Sequence, residues 1–281
     1  MNNHSGLAVS SLPPDSALYL QRLGHAEPPP PTLETLSALQ SRHTATFVFE
    51  TIANLTRSNV PLDLGSLRRK LLREGRGGYC FELNRLFLSL LCELGFDARP
   101  VAARVLMGAT QGEVPARSHL AGLVMLDGVQ YLTDVGFGGM VPTAPLRLDV
   151  WGPQPTMHEP YRIDQNDDGY LLHARVIDEW RALYLFDLQP HPEIDQTVGN
   201  WYVSTHPESP FRDQLLVART GPGMRMTLNN TSFAVHRLGE PSVRRELDSV
   251  GAVIEVLEKE FGLRLPPDNA VRDALARKFD S

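Results

Sequence analysis

The sequence has little cysteine, and its histidines and cysteines are not spaced as metal ligands. Only two of the 281 residues are cysteines, Cys80 and Cys92, and no pair of histidine or cysteine residues has the spacing of a zinc site. This argues against a disulfide framework and against a structural metal. We therefore expect free thiols, a reducing compartment and no metal ion.

A basic tract and a long apolar run are also missing. The formal net charge is −6, and an acidic surface does not attract polyanions, which argues against binding to nucleic acid or to an anionic membrane. The most apolar run, residues 86–94, is interrupted by Ser89 and Glu93, and residues 1–11 lack a cationic stretch before an apolar one. We therefore expect a cytoplasmic protein.

The apolar pattern changes from helical to extended near residue 97. Spacing of three and four predicts helices at 16–23, 33–41, 64–72 and 81–94. Short β-branched runs then predict strands at 100–106, 120–126, 129–135, 170–177 and 180–188, and later at 215–218, 224–228 and 233–238. Two final helices are predicted at 243–261, starting at Ser242, and at 269–279. The predicted fold class is therefore α+β.

Cys80 lies where a thiol is most easily activated. Residues 76–84 read RGGYCFELN, so two glycines precede a predicted helix that opens at the cysteine. The free N–H groups and positive dipole end of a helix N-terminus stabilise an anion. Counting along the helix places Leu83, Phe87 and Leu91 on the same side, so the sulfur faces the interior. Cys80 is thus a candidate nucleophile, and a small core residue is the other interpretation.

A β-hairpin supplies a candidate base and a group to orient it. If Asp127-Gly128 forms the turn, the pairing places Ala121 opposite Asp134. His119 then lies on the same face as Asp134, as a diagonal neighbour at roughly 7–8 Å between backbones. Asp134 would hold the imidazole in one tautomer while its other nitrogen takes the thiol proton. Cys80, His119 and Asp134 therefore form a candidate catalytic set.

The glycine-rich segment after Asp134 is a candidate substrate contact. Gly136 and Gly138 let backbone approach a ligand, and Phe137 between them is predicted to line the acceptor pocket. Ordinary turn formation and packing are the alternative roles. Among other candidates, we expect Cys92 in the core and the Glu82 and Glu93 carboxylates in solvent. No sequence partner is evident for four further histidines, which we take as structural or surface residues: His158, His173, His191 and His206.

In order along the chain, residues 76–84 (RGGYCFELN), 118–120 (SHL) and 133–138 (TDVGFG) resemble the motifs of the bacterial arylamine N-acetyltransferases. Residues 200–211 (NWYVSTHPESPF) resemble the segment that leads into the third domain of that family. The resemblance spans nearly the whole chain. One departure is visible at residues 49–51, which read FET where the family usually has FEN.

The resemblance implies three domains: a helical domain at 1–97 with the nucleophile, a β-barrel domain at 98–200 with the histidine and aspartate, and an α/β domain at 201–281. It also implies acetyl-coenzyme A as co-substrate and an arylamine or hydrazine as acceptor, with O-acetylation of N-hydroxyarylamines as a related activity. Coenzyme A and the small acceptor would be the partners, and a homodimer is the assembly considered.

The expected chemistry is a ping-pong transfer through acetylated Cys80, with His119 moving the protons. Three other interpretations stay open on the sequence. An amide synthase of a biosynthetic pathway would use the same side chains with a larger acyl donor. A thiol hydrolase or transglutaminase-like enzyme would act on peptide acyl groups. A binding module without catalysis would show a Cys80 no more reactive than a free thiol.

Overall fold

The computed structural model describes residues 12–110 and 112–279, so the sequence predictions for residues 1–11 lie outside the described residues. The described helices are α1 (Pro14–Arg22), α2 (Leu33–Thr46), α3 (Ile52–Leu55), α4 (Leu64–Leu67), α5 (Cys80–Glu93), α6 (Glu193–Thr205), α7 (Val250–Glu255) and α8 (Ala270–Phe279). Helices α4 and α7 continue as π-helical turns over Arg68–Arg73 and Val256–Glu260.

The first helices begin at ordinary side-chain caps. The Thr32 hydroxyl accepts a hydrogen bond from the Thr35 N–H before α2, and the Asp63 carboxylate accepts one from Ser66 before α4. These oxygens satisfy N–H groups that have no partner inside the helix. The apolar sides of α1, α2 and α5 pack into one core, which includes Leu36, Phe87 and other fully buried residues. The helical layer predicted for the first third is therefore confirmed.

Twelve strands are described: β1 (Phe49–Glu50), β2 (Asp97–Val105), β3 (His119–Leu126), β4 (Val129–Thr133), β5 (Leu146–Arg147), β6 (Tyr161–Asn166), β7 (Gly169–Val176), β8 (Glu179–Phe186), β9 (Leu216–Gly221), β10 (Met224–Asn229), β11 (Ser232–Arg237) and β12 (Val243–Glu246). Seven of them form an antiparallel sheet in the order β5-β4-β3-β2-β8-β7-β6. Its edge strands β5 and β6 lie against each other, so the sheet is a nearly closed barrel. Apolar side chains such as Leu123, Tyr161 and Leu172 fill its interior.

The second sheet joins distant parts of the chain. Its order is β1-β9-β10-β11-β12, and Phe49 of β1 pairs with Ala218 of β9. At the departure from the family motif, the Thr51 hydroxyl donates to the Gln214 carbonyl at 2.8 Å and accepts from the Leu216 N–H at 2.9 Å. Threonine therefore still ties the first third of the chain to the second sheet.

The helix predicted at 243–261 is wrong over its first part. Val243–Glu246 form the edge strand β12, paired with β11, and α7 begins only at Val250. Ser249, not Ser242, caps it by accepting from the Ala252 N–H. The Ser242 hydroxyl instead lies 2.7 Å from Nδ1 of His236. The edge of a sheet therefore overrides a helix-like apolar spacing here.

Helix α6 was not predicted from the sequence. The predicted boundary between the second and third domains, at residues 200 and 201, falls inside this helix. The three-domain division at 97/98 and 200/201 stays a prediction. Within residues 12–110 and 112–279, no helix is long and apolar enough to cross a membrane.

Candidate active site

Helix α5 begins at Cys80, as its sequence predicts. Glu82 in the first turn turns back, and its Oε2 accepts a hydrogen bond from the Tyr79 N–H at 3.2 Å. This closes half of a capping box and fixes where the helix starts. The cysteine is 3 % exposed, and its sulfur lies 3.8 Å from the Ser118 carbonyl oxygen. The thiol therefore sits at the positive end of a capped helix, beside the strand that carries His119.

The hairpin has the register that its turn predicts. Leu126 pairs with Val129, and the pairing continues to Gly122 and Thr133, one step before Asp134. His119 and Asp134 are 2 % and 0 % exposed, and His119 Nε2 lies 2.7 Å from Asp134 Oδ2. The co-facing of this imidazole and this carboxylate is thus confirmed.

Four neighbouring groups hold the Asp134 carboxylate in place. Its Oδ1 accepts hydrogen bonds from Asn84 Nδ2 at 2.9 Å and from the Gly136 N–H at 2.8 Å. Its Oδ2 accepts from the Tyr184 hydroxyl at 3.0 Å in addition to the imidazole. A buried carboxylate is costly unless such bonds replace water. The network therefore fixes the Asp134 carboxylate in place.

His119 is protonated at neutral pH in this environment. Burial lowers the pKa of the imidazole, but the charge and hydrogen bond of Asp134, with smaller contributions from a hydrogen bond to Cys80 and its negative charge, raise the pKa to about 10. The ring packs against Phe137 and Tyr184, each with its centroid 4.9 Å away. The arrangement is therefore suited to an imidazolium that bridges a carboxylate and a sulfur.

A cavity of about 500 Å³ opens onto these side chains. Its lining includes Cys80, His119, Phe137 and the two predicted glycines. A Cβ atom on Gly136 would lie 2.7 Å from the Cys80 Cα, and Gly138 has a φ of +65°. The glycines are therefore required by close approach and by a left-handed backbone. Further walls come from both sheets, from the loop after β2, and from α6 and the segment that follows it: Phe49, Val105, Met107, Tyr202, Phe211, Ala218 and Thr227.

Three residues that hold the site together were not predicted from the sequence. Asn84, inside the quoted motif, also donates to the Leu120 carbonyl at 2.7 Å and accepts from the Val135 N–H at 2.9 Å, joining α5 to both hairpin strands. The side chain of Gln40 donates to the Asp134 and Pro142 carbonyls at 3.3 and 2.8 Å. Tyr184 reaches Asp134 from β8. Of these three residues, only Asn84 could have been found from the sequence, because a polar residue on the buried side of a predicted helix indicates a buried hydrogen bond.

The carboxylates of Glu82 and Glu93 are predicted to be solvent-exposed, and this prediction is wrong. Glu82 is 1 % exposed and accepts from Lys70 Nζ at 2.6 Å, while burial raises the pKa of its carboxyl group. Glu93 is half-buried and pairs with Arg68 at 2.6 Å. Both acids face helix α4 and its π-helical continuation, because that segment packs along α5. The capping role of Glu82 explains why the acid is kept inside.

The prediction that Cys92 lies in the core is also wrong, whereas His158 is a structural residue as expected. Cys92 is exposed, because it lies off the stripe that runs from Cys80 to Leu91. His158 is buried and has a partner: its Nδ1 lies 2.5 Å from Glu159, which in turn accepts from Arg225. Among the described residues there is no cluster of three or more histidine, cysteine, aspartate or glutamate side chains that could hold a metal ion.

With the fold and this geometry in place, the chain can be compared with known proteins. The family model described as N-acetyltransferase matches residues 32–271. An arylamine N-acetyltransferase of Mycobacterium tuberculosis is 40% identical over 272 residues, 95% of this chain and 95% of that protein. A Salmonella typhimurium protein named arylamine N-acetyltransferase / N-hydroxyarylamine O-acetyltransferase is 36% identical over 247 residues, 87% of each chain.

Solved structures agree. The Mycobacterium marinum arylamine N-acetyltransferase in complex with CoA superposes with a TM-score of 0.85 and 39% identity, over 93% of this chain and 97% of that one. These relatives share the mixed α/β fold with its barrel-like sheet, and together with the family match they show that the chain is an acyltransferase enzyme. The chain belongs to the arylamine N-acetyltransferase family, which confirms the resemblance drawn from its motifs.

Proposed function

We propose that this enzyme transfers an acetyl group from acetyl-coenzyme A to arylamines and hydrazines, and to the oxygen of N-hydroxyarylamines, through an acetyl-Cys80 intermediate. The observation that carries the proposal is the buried His119–Asp134 pair, 2.7 Å between Nε2 and Oδ2, next to Cys80 in one cavity. The relative named for arylamines and N-hydroxyarylamines and the relative with bound CoA support acetyl-coenzyme A and these two acceptors, and hydrazines follow from the resemblance of the motifs.

In the first half-reaction, the Cys80 thiolate attacks the thioester carbonyl carbon and forms a new C–S bond. The tetrahedral intermediate collapses, the bond to the coenzyme A sulfur breaks, and the departing thiolate takes a proton from the His119 imidazolium. Acetyl-cysteine and free coenzyme A result. A His119 pKa of about 10 keeps this proton available at neutral pH.

In the second half-reaction, the acceptor nitrogen attacks the acetyl carbonyl of Cys80. His119, now neutral, takes the proton that the nitrogen loses, and the Cys80 thiolate leaves, which restores the starting ion pair. Asp134 holds the imidazole in one orientation and stabilises its charged form in both steps. His119 therefore serves as the acid in the first half-reaction and as the base in the second.

The developing oxyanion needs hydrogen-bond donors. The first N–H groups of a helix have no intrahelical partner, so the Cys80 N–H is free to donate to it. For the acceptor, we propose that Phe137, Gly136 and Gly138 form the wall on which the aromatic ring rests. A cavity of about 500 Å³ accommodates the thioester end of the donor or a small aromatic acceptor in turn. Homodimer formation and a cytoplasmic location stay predictions.

The direct test is the intact mass of the protein after mixing with acetyl-coenzyme A in the absence of acceptor. We expect a single acetyl adduct on Cys80, its discharge by aromatic amines and hydrazines, and none in Cys80→Ala. Cys92→Ala removes the other thiol and should leave the adduct unchanged. Acetylation of the acceptor by Cys80→Ala at the original rate would overturn the covalent route.

The same experiment separates the rival enzymes that share these side chains. An amide synthase would load a larger acyl thioester in preference to the acetyl group, and a hydrolase or transglutaminase-like enzyme would not retain acetyl label on Cys80. Either result would contradict the proposed donor.

A further inference from the structure

A second cavity lies on the other side of the β1–β9 strand pair and is lined by arginines. It measures about 330 Å³, and five arginines line it: Arg22, Arg73, Arg76, Arg219 and Arg264. None of the described residues that line it is an aspartate or a glutamate. In a chain with a formal net charge of −6, this concentration of positive charge is unusual. We call it the arginine cavity.

The arginine cavity is separate from the catalytic cavity. Phe49 and its strand partner Ala218 line the catalytic cavity, while their sequence neighbours Val48 and Arg219 line the arginine cavity. Successive residues of a strand point to opposite faces, so the two cavities lie on opposite sides of this strand pair. The described linings share no residue.

Two of the five arginines have a carboxylate partner. Arg73 pairs with Asp15 at 2.5 Å, and the Nη2 of Arg76 lies 3.9 Å from Glu50. The second pair is loose, and Nε of Arg76 is buried without a hydrogen-bond partner among the described residues. A buried donor without a partner costs free energy, so the Arg76 guanidinium is not fully satisfied by the described residues.

The other three guanidinium groups form no ion pair with a carboxylate in the described part of the chain. Arg22 uses Nη1 alone, which donates to the Leu71 carbonyl at 2.5 Å and the Leu72 carbonyl at 3.3 Å. Arg219 donates to the Glu260 carbonyl at 2.8 Å and to the Phe261 carbonyl at 3.1 Å, where the π-helical continuation of α7 ends. The exposed Arg264 is tied to Gly75 through its backbone N–H. Several donors therefore remain for a ligand.

The positive guanidinium groups around this cavity repel one another. Burial lowers the pKa of Arg22, the charge of Arg264 lowers it further, and Tyr19 opposes them. Burial also lowers the pKa of Arg219, against the charge of the nearby Glu260 carboxylate. An anion between the guanidinium groups would relieve this repulsion. The planar fork of arginine matches the oxygens of a phosphoryl group, whose charge of about −1.5 to −2 exceeds that of one carboxylate.

We propose that the arginine cavity binds a small phosphorylated molecule, at a site distinct from that of the acetyl-transfer reaction. A ligand there would contact the segment that leads into Cys80. Gly75 and Arg76 belong to its wall, and Val48 of the same wall accepts a hydrogen bond from the Gly78 N–H at 3.2 Å. Occupancy should therefore stabilise the fold through this segment.

The test is isothermal titration with inorganic pyrophosphate at constant ionic strength, with succinate as the carboxylate comparison. We expect saturable pyrophosphate binding, a concentration-dependent rise in Tm, and no comparable effect of succinate. Arg264→Gln should weaken pyrophosphate binding by about tenfold, which corresponds to the loss of one charge-assisted contact. The matched control is Arg237→Gln, an exposed arginine of β11 that lines neither cavity and should leave binding unchanged.

Three results would overturn the proposal: no saturable binding, equal binding by Arg264→Gln, or competition between pyrophosphate and coenzyme A, which would place the anion in the catalytic cavity. If Arg264→Gln fails to fold, Arg264→Lys keeps the charge without the fork. It should then bind pyrophosphate severalfold less tightly than the unaltered protein, and equal binding would contradict the guanidinium geometry. Acetyl transfer is not the readout, so the outcome is independent of the proposed reaction.

Discussion

Oδ2 of Asp134 lies 2.7 Å from Nε2 of His119, and both side chains are almost completely shielded from solvent. The carboxylate is fixed by donors from α5, β8 and its own turn, so its position does not depend on the histidine. The imidazole is therefore held against a charge that is already in place. Protonation of His119 follows from that charge.

Asp134→Asn tests this dependence. Burial, the largest single contribution, would still lower the pKa of His119, while the charge of Asp134 and its hydrogen bond would no longer raise it, so the pKa should fall well below about 10. We expect acetyl transfer to slow by ~10²–10⁴-fold, as when a histidine loses its orienting carboxylate elsewhere. An NMR pH titration of the His119 ring and single-turnover kinetics measure the two effects. Asp127→Asn, in the turn of the same hairpin, should change neither, and a His119 pKa still near 10 in Asp134→Asn would contradict the assignment.

His43 should make stability fall in acid. It is fully buried, neither ring nitrogen has a hydrogen-bond partner among the described residues, and burial, assisted by Arg22, lowers its pKa from 6.5 to about 3. At a pH between these two pKa values, His43 is protonated in the unfolded chain and neutral in the folded protein. The free energy of unfolding should therefore decrease as pH falls through this window, by at most about 1.4 kcal/mol per pH unit.

The variant His43→Leu removes this titration. Urea unfolding from pH 7 down to pH 4 should then show a shallower loss of stability than in the unaltered protein. Equal slopes in the two proteins would mean that His43 is not the group responsible.

Gly136→Ala should loosen the contact between α5 and the hairpin. The new Cβ would lie 2.7 Å from the Cys80 Cα and 2.8 Å from Asn84 Nδ2. The Cys80 atom is helix backbone and the Asn84 side chain is held by three hydrogen bonds, so neither contact yields easily. We expect a loss of about 1–3 kcal/mol and a lower rate of acetyl transfer. Gly251→Ala is the matched control, because the nearest atom is 4.0 Å away in an ordinary helical position. That change should stabilise the protein by up to ~1 kcal/mol.

Asn84→Ala should cost more than an average surface change, because it leaves a buried carbonyl, a buried N–H and one carboxylate oxygen short of a partner. Its three hydrogen bonds run to Leu120, Asp134 and Val135. We expect at least about 2 kcal/mol of destabilisation, measured by chemical denaturation, together with slower transfer. Asn59→Ala, at an exposed position, serves as control, and an equally small effect of both changes would show that the bridge is dispensable.

The parts of the site that the sequence predicts are those set by local rules. Two glycines before a helix place Cys80 at its first turn, and the Asp127-Gly128 turn sets the register that joins His119 to Asp134. Tyr184 and Gln40 reach Asp134 from β8 and α2, and no spacing along the chain encodes such long-range contacts. Cys92 was misplaced although it lies off the apolar stripe counted from Cys80, so a stricter use of helical periodicity would have found it exposed.

The strand at 243–246 is a part of the fold that local sequence rules do not predict. The helix-like apolar spacing runs through Val243–Glu246, but pairing with the edge strand β11 makes this mostly polar segment extended. The predicted solvent position of Glu82 was wrong for a related reason. Its burial depends on Lys70 and on the packing of the π-helical turn, which are tertiary facts.

During synthesis, strand β1 cannot pair with β9 until β9 has been made. Phe49 emerges early, yet its partner Ala218 follows 169 residues later, and both form a wall of the catalytic cavity. A nascent chain that carries Cys80 and His119 therefore has no complete pocket until most of the polypeptide has left the ribosome. Contacts so distant along the chain form late and slowly.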